Sequence, residues 1–359
     1  MIPLFLIFIL LALFAAANGA NDVSKGVATL AGSGVTRYRR AILWGAVTTL
    51  TGSLVSGLFA ARMLKLFTSE IVAAPPTPAF TLAIICGAAG WVAIATITKL
   101  PVSTTHAIIG SLLGAGVLHA PTTIKWAGLL PKLIMPLLLS IAVSYAISAT
   151  LNRLFAKSHA ASADCLCLGV ETLDAGMAQL PQLSVVAGTA QECSKAGGYL
   201  KIETETLHWL SSGAVGFARG LNDTPKLIAI GAVVLGAQVS LTALLLVIAG
   251  AMFGGSLYAG RRVAQVRAEK VVKMDHREGL LANITTAMLV GVGANLGLPM
   301  STTHVSTGAI AGIAGTDPKR LNRRTVRNLI LAWTVTPLVA GLIAGVIYTV
   351  VIVSLEQNG

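Results

Sequence analysis

The sequence predicts an all-α polytopic membrane protein of two inverted-topology repeats, with about 10–12 membrane segments and broken or re-entrant helices that meet at the midplane. Three observations support this prediction. The 359-residue chain is 55% hydrophobic and 11% charged, whereas a soluble domain is usually about 25% charged. Two polar motifs each occur twice, and the positive residues are concentrated in particular loops.

Apolar stretches of about 20 residues, each long enough to cross roughly 30 Å of hydrocarbon, run nearly end to end. The predicted spans are 1–18, 41–61, 79–98, 126–150, 207–218, 228–256, 280–297 and 329–353, with shorter apolar pieces at 107–118 and 305–315. Residues 1–17 lack the positive n-region and cleavage-site context of a signal peptide. We therefore interpret them as part of the first span.

The formal net charge of +12 does not indicate nucleic-acid binding, because the positive residues do not form a binding face. They cluster at 37–40, 261–277 and 319–327. Such clusters are typical of cytoplasmic loops under the positive-inside rule.

The two halves of the chain share two motifs. Asn21-Asp22 and Lys25 align with Asn222-Asp223 and Lys226, at an offset of 201 residues. The sequence Leu-Pro-X-Ser-Thr-Thr-His occurs at 100–106 and at 298–304, at an offset of 198 residues. Two independent motifs at nearly the same offset indicate an internal repeat.

Loop charge indicates that the two copies lie upside down relative to each other. The stretch 37–40 is basic, whereas its equivalent at 231–240 is uncharged. Conversely, 259–279 is strongly basic, and its equivalent at 62–78 is not. If basic loops are cytoplasmic, each half crosses the membrane an odd number of times, with both termini outside.

These features predict a first transmembrane repeat at 1–152, a cytoplasmic linker or small subdomain at 153–205, and a second transmembrane repeat at 206–359. The central segment contains stretches that alternate with the period of a β-strand. It also contains Cys165, Cys167 and Cys193. Their spacing does not match a zinc site, and reduced cytosolic thiols explain them better.

The Ser-Thr-Thr motifs predict helix breaks, because Pro and then Ser or Thr favour a new helix start. Unpaired N–H groups and the positive dipole end can bind an oxyanion there, and hydroxyls add further donors. The two breaks would together hold one tetrahedral anion. The alternative is that these residues only cap kinked helices or join spans.

The Asn-Asp motifs supply oxygen ligands suited to Na⁺ or a proton inside the membrane. Capping of a helix is the structural alternative, and nearby glycines fit a chain that unwinds or packs closely. His106 and His304 directly follow the Ser-Thr-Thr runs. Their rings could donate hydrogen bonds to the anion, relay protons or serve only the structure. Arg219 could attract the anion or lie at the cytoplasmic mouth of the transport path, and we predict the mouth.

With these motifs, the chain resembles the inorganic phosphate transporter (PiT) family of sodium- or proton-coupled symporters. The resemblance covers the membrane portion but not the central segment. It implies a phosphate site and a neighbouring cation-coupling site. The implied phosphate ligands are Ser103, Thr104, Thr105, Ser301, Thr302 and Thr303, and the implied coupling residues are Asn21, Asp22, Asn222 and Asp223.

One departure from the family pattern is that Lys25 and Lys226 stand where the signature usually has a second Asn. A Lys one helical turn after an Asp can pair with it. We therefore expect both lysines to balance charge and to reduce the dependence on Na⁺, as in proton-coupled bacterial members with a Lys in the second copy. The alternative is that both lysines face a water-filled vestibule.

The predicted substrate is inorganic phosphate or another tetrahedral oxyanion, carried with H⁺ or Na⁺ through a prokaryotic plasma membrane. Sulfate is the main alternative, and an anion channel is a weaker one because a channel has little use for paired aspartates. No nucleophile–base pair, nucleotide loop or metal cluster indicates an enzyme, and no cofactor or metal is expected. A homodimer remains open.

Overall fold

The structure, a computed structural model, describes residues 4–58, 65–73, 75, 77–156, 165–175, 178–188, 200–235, 238–270, 274–314, 320 and 322–357. In the first half the helices are α1 Leu4–Asp22, α2 Ser24–Gly32, α3 Tyr38–Val55, α4 Pro78–Ile97, α5 Thr104–His119, α6 Trp126–Leu129 and α7 Met135–Ala156. In the second half they are α8 Thr204–Leu235, α9 Leu241–Lys270, α10 His276–Asn295, α11 Thr302–Ile313 and α12 Arg323–Gln357. Short 3₁₀ turns lie at Ser56–Leu58 and Pro121–Thr123, and π-helical turns at Leu66–Glu70 and Leu130–Ile134.

Among these described residues, six helical stretches are long and apolar enough to cross a membrane. The predicted span 228–256 is wrong, because α8 ends at Leu235 and α9 begins at Leu241. The Ser240 hydroxyl accepts a hydrogen bond from the Ala243 N–H and so caps the start of α9. The predicted span 207–218 is only the first part of the 32-residue helix α8. The helical membrane fold itself is confirmed.

Each half contains the predicted helix break at its Ser-Thr-Thr motif. Helix α5 begins at Thr104 and α11 begins at Thr302, and the preceding serine caps each helix. The linker from α4 to α5 turns through Lys99 with φ 61°, and the equivalent linker turns through Gly297 with φ 73°. We call the two segments 99–105 and 297–303 the tips.

The helices of one half pack on those of the other in matching pairs. Helix α1 packs on α9 as α8 packs on α3, and α5 packs on α12 as α11 packs on α7. The Ser212 hydroxyl donates to the Gly26 carbonyl, and Gly231 lies against Leu11. The stretch α1–α2 therefore runs antiparallel to α8, as an inverted repeat requires.

The glycines of the Asn-Asp motifs serve close packing, not unwinding. Helix α8 continues through Asn222 and Asp223, and α1 is separated from α2 by Val23 alone. Gly19 lies directly against the backbone of Met252, and Gly220 against the backbone of Thr49. A side chain at either position would push apart two helices that hold the centre of the protein.

The basic loops gather at one end of the helix bundle. Trp44, near the start of α3, donates to the Trp209 carbonyl at the start of α8. At the start of α10, Arg277 donates to the Phe155 carbonyl at the end of α7, and Glu278 accepts two hydrogen bonds of 2.8 Å from Arg320. The central segment leaves and re-enters the bundle at this same end. The arrangement agrees with the topology predicted from loop charge.

The predicted strand character of the central segment is confirmed in its described parts. Strands β1 Cys165–Ala175, β2 Ala178–Gly188 and β3 Leu200–Glu203 form an antiparallel sheet in the order β2-β1-β3. Cys193 lies outside the described residues, and the described part of the chain holds no cluster that could bind a metal ion. The boundaries 1–152, 153–205 and 206–359 stay a prediction.

Replacement of Gly220 by valine tests the close packing of α8 on α3. The added side chain meets backbone that cannot rotate away, so we expect a loss of about 1–3 kcal/mol or more of stability. Thermal unfolding of the detergent-solubilised protein would measure it. Gly90→Val is the matched control, because nothing lies within 4 Å of a Cβ at Gly90. Equal stability of the two variants would contradict the packing.

Candidate functional site

The two tips meet inside the protein through their hydroxyl groups. The Ser301 hydroxyl donates to the Ser103 hydroxyl over 2.9 Å. The Thr303 hydroxyl donates to the Val102 carbonyl at 2.8 Å, and the equivalent Thr105 hydroxyl donates to the Met300 carbonyl at 3.3 Å. All six predicted hydroxyl residues are buried: Ser103, Thr104, Thr105, Ser301, Thr302 and Thr303. The structure thus brings the duplicated motifs together as one group of side chains.

The asparagines of the Asn-Asp motifs tie the tips to α1 and α8. Asn21 donates to the Leu100 carbonyl at 3.0 Å and accepts from the Val102 N–H at 3.3 Å. Asn222 donates to the Met300 carbonyl at 3.0 Å. These amides satisfy backbone groups that the helix breaks leave without helical partners. The cation-coupling role of both asparagines stays a prediction.

Each lysine pairs with the aspartate one turn before it and also reaches the opposite tip. Lys25 lies 2.5 Å from an Asp22 carboxylate oxygen and donates to the Thr302 hydroxyl at 2.7 Å. Lys226 lies 3.3 Å from Asp223 and donates to the Thr105 hydroxyl at 2.8 Å. Both lysines are at most 2% exposed. The alternative of a water-filled vestibule is therefore wrong for this structure.

Asn18 and Arg219 occupy equivalent positions and make the two copies unequal. Asn18 donates to the Thr104 hydroxyl at 2.9 Å and to Asp22 at 3.3 Å. Arg219 lies 3.8 Å from Asp223 and donates to the Thr49 hydroxyl at 3.4 Å.

The preferred placement of Arg219 at the cytoplasmic mouth is wrong, because its side chain is 1% exposed and belongs to the buried ion cluster. The spacing of Arg219 and Asp223 along the chain could have indicated that they lie close together. Arg219 precedes Asp223 by four residues, so the two side chains share a helix face.

We call Asp22, Lys25, Arg219, Asp223 and Lys226 the ion cluster. Its formal charge is three positive side chains against two negative ones, a net charge of +1. Asp22 Oδ1 and Arg219 Nη2 have no hydrogen-bond partner within the described part of the chain. Buried polar atoms normally have partners, so these two are open to a polar ligand or water. An excess positive charge beside a buried donor group without a partner favours an anion.

The two histidines lie against the serine pair. His106 Nδ1 is 2.8 Å from the Ser103 hydroxyl, and the His106 and His304 ring centroids are 4.6 Å apart. The His304 Nδ1 is 3.1 Å from the Leu137 carbonyl, which can only accept, so this nitrogen carries the proton. A relay role for the histidines stays a prediction.

The arrangement can bind an oxyanion without a metal. Helices α5 and α11 begin at the tips, and their first turns carry the positive end of the helix dipole. The buried lysines add full charges within hydrogen-bond reach of the same hydroxyls. The described residues offer no group of three or more His, Cys, Asp or Glu side chains for a metal ion.

Comparisons with known proteins agree with this chemistry. The profile of the "Phosphate transporter family" matches residues 18–344. A "Probable low-affinity inorganic phosphate transporter" of Rhizobium meliloti (strain 1021) is 26% identical, over 92% of this chain and 91% of its own. "Inorganic phosphate transporter 2-1, chloroplastic" of Arabidopsis thaliana is 24% identical, over 92% of this chain and 69% of its own.

A solved structure described as "The sodium-dependent phosphate transporter" has a TM-score of 0.79 to this chain. It is 21% identical and covers 98% of this chain and 100% of its own. The two proteins share one fold across the whole membrane part.

Substitution of Lys25 by methionine tests the ion cluster. It leaves Asp22 buried without its closest cation, so we expect a loss of about 3–5 kcal/mol in stability. Lys226→Met should lose less stability, because the Arg219 guanidinium remains 3.8 Å from the Asp223 carboxylate. Thermal unfolding in detergent measures both.

The double variant Lys25→Met/Asp22→Asn serves as the control, since it removes both charges and should recover most of the stability. An unchanged melting temperature for Lys25→Met, or no recovery in the double variant, would contradict the pairing.

Proposed function

Because this chain belongs to the phosphate transporter family, we propose that it is a secondary active transporter that imports inorganic phosphate together with protons. The observation that carries the proposal is the joining of both tips to the buried lysines through Thr302 and Thr105. A tetrahedral anion can replace these hydroxyl–ammonium contacts with contacts of its own. Hydroxyl and ammonium donors are the groups that bind phosphate oxygens in proteins.

The charge of the ion cluster supports protons as the coupling ion. With a net charge of +1, the cluster is neutralised by one dihydrogen phosphate ion. Hydrogen phosphate, which carries one more negative charge, would need one accompanying proton. A bound Na⁺ would instead compete with Lys25 and Lys226 for the two carboxylates. We therefore assign the coupling to protons, and a dependence on Na⁺ is the alternative.

The duplicated architecture supports alternating access. In inverted-repeat transporters, one repeat rocks against the other around a central site. Here the tips hydrogen-bond to each other at Ser103–Ser301 and Thr303–Val102. Each tip also accepts a hydrogen bond from the lysine of the opposite copy. Such contacts can break and re-form as the halves move. We place the protein in a prokaryotic plasma membrane with its basic loops in the cytoplasm.

Sulfate is the second candidate substrate, and one observation favours each anion. Asp22 Oδ1 has no partner and can accept the proton of a phosphate O–H, which sulfate lacks at neutral pH. The net positive charge of the ion cluster, in contrast, attracts any anion, so it also admits sulfate. We give phosphate precedence because the family profile covers nearly the whole chain.

Uptake of labelled phosphate into proteoliposomes tests the coupling. With choline in place of Na⁺ and an acidic exterior, we expect uphill accumulation that a proton ionophore abolishes. Asp22→Asn and Asp223→Asn should lose accumulation while eluting from a sizing column as the wild type does. An absolute need for Na⁺ would exclude the proton assignment. Equilibration without accumulation would indicate a channel.

Competition by sulfate tests the substrate. Because only phosphate can donate a proton to Asp22, we expect excess unlabelled sulfate to leave most of the labelled phosphate uptake intact. Excess unlabelled phosphate is the positive control. Equal inhibition by the two anions would make the protein a general carrier of tetrahedral dianions.

A further inference from the structure

An apolar cavity of about 910 Å³ opens on the side of the helix bundle, between α7 and α12. Its outer wall includes exposed residues that face the surrounding lipid: Leu138 at 56%, Ile330 at 50% and Ile134 at 42% exposure. Its inner wall is formed by α5 and α11, including His106 and His304. The ion cluster does not line this cavity.

We propose that this cavity binds one acyl chain of an anionic phospholipid from the cytoplasmic leaflet. The first argument is length. The lining residues of α12 run from Val326 to Pro337, which is roughly 16 Å along a helix that rises 1.5 Å per residue. This length matches one leaflet, since the hydrocarbon core is about 30 Å thick.

The second argument is charge at one end of the cavity. Arg327 is exposed and shares a helix face with the lining residues Ile330, Thr334 and Pro337, at spacings of three, seven and ten residues. Arg324, also exposed, lies one turn earlier on that face. Both arginines are at the end where the basic loops gather. Basic pockets between membrane helices on the cytoplasmic side bind anionic headgroups.

The cavity lies directly behind the tips. The rings of His106 and His304 contact each other there, and His106 contacts the Ser103 hydroxyl. The Trp333 ring packs on His304 with centroids 4.3 Å apart. A bound acyl chain therefore supports the first turns of α5 and α11, and Trp333 reports on it. The lipid site does not rest on the identity of the transported ion.

Quenching of tryptophan fluorescence by brominated lipid tests the proposal in nanodiscs. The chain has five tryptophans. Subtracting the fluorescence of the Trp333→Phe variant from that of the wild type leaves the fluorescence of Trp333 alone. We expect brominated phosphatidylglycerol to quench Trp333 at a far lower mole fraction than brominated phosphatidylcholine does. Two arginines near the membrane surface give a preference on the order of thirtyfold.

Matched variants locate the lipid. Arg324→Gln/Arg327→Gln should remove the headgroup preference, whereas Arg261→Gln/Arg262→Gln, two exposed arginines elsewhere, should keep it. Ala142→Phe fills the cavity from α7 and should reduce quenching by both lipids. Ala146→Phe, one turn further along the same helix and not part of the cavity wall, should not. Each variant is compared with its own Trp333→Phe derivative.

Three results would overturn the proposal. The first is equal quenching by the two headgroups in the wild type, which indicates only lipids that surround any membrane protein. The second is unchanged quenching in Ala142→Phe. The third is a dimer by light scattering in which Trp333 is not quenched, which would assign the cavity to a second copy of the chain.

Discussion

The structure depends on the contact of each buried lysine with the aspartate one turn earlier and with a hydroxyl of the opposite tip. A buried charge without a partner costs several kcal/mol, so the lysines and aspartates must be held together. The two helix breaks have the same requirement, because their free backbone groups need partners within the protein. Thr105 and Thr302 accept hydrogen bonds from the lysines, and Asn21 and Asn222 donate to carbonyls of the tips, so the same group of side chains meets both requirements. The ion cluster and the tips therefore form one interdependent unit.

Duplication explains why this unit has matching contacts, and divergence explains where they differ. Thr105 and Thr303 make equivalent bonds to Met300 and Val102 across the pair of tips. Asn18 and Arg219 occupy equivalent positions, yet only the second is charged. This single difference makes the cluster positive, and a positive cluster suits an anion better than an added metal cation. The asymmetry thus bears directly on the choice of coupling ion.

Much of the fold followed from local patterns. Apolar length predicted the membrane helices, and the Pro-X-Ser-Thr-Thr spacing predicted where α5 and α11 begin. The boundary between α8 and α9 was missed, because residues 228–256 contain no charge and no proline, and apolar length alone does not mark a turn. Ser240, which caps α9, was the signal that the sequence offered. The position of Arg219 was missed because burial of a charge depends on which helices surround it. Side-chain spacing indicated a shared face with Asp223 but not that this face points inward.

The sequence by itself determined the membrane class, the internal repeat of its motifs and the residue types that meet at the tips, and its loop charge predicted opposite orientations of the two halves. These are properties of composition and order along one chain. Only the tertiary structure decided that Lys25 reaches Thr302 and Lys226 reaches Thr105, contacts that join residues 277 and 121 positions apart. Spacing along the chain carries no information about such distances, because they arise from the tertiary packing that brings α2 to α11 and α8 to α5. The charge of the site is therefore a consequence of the fold.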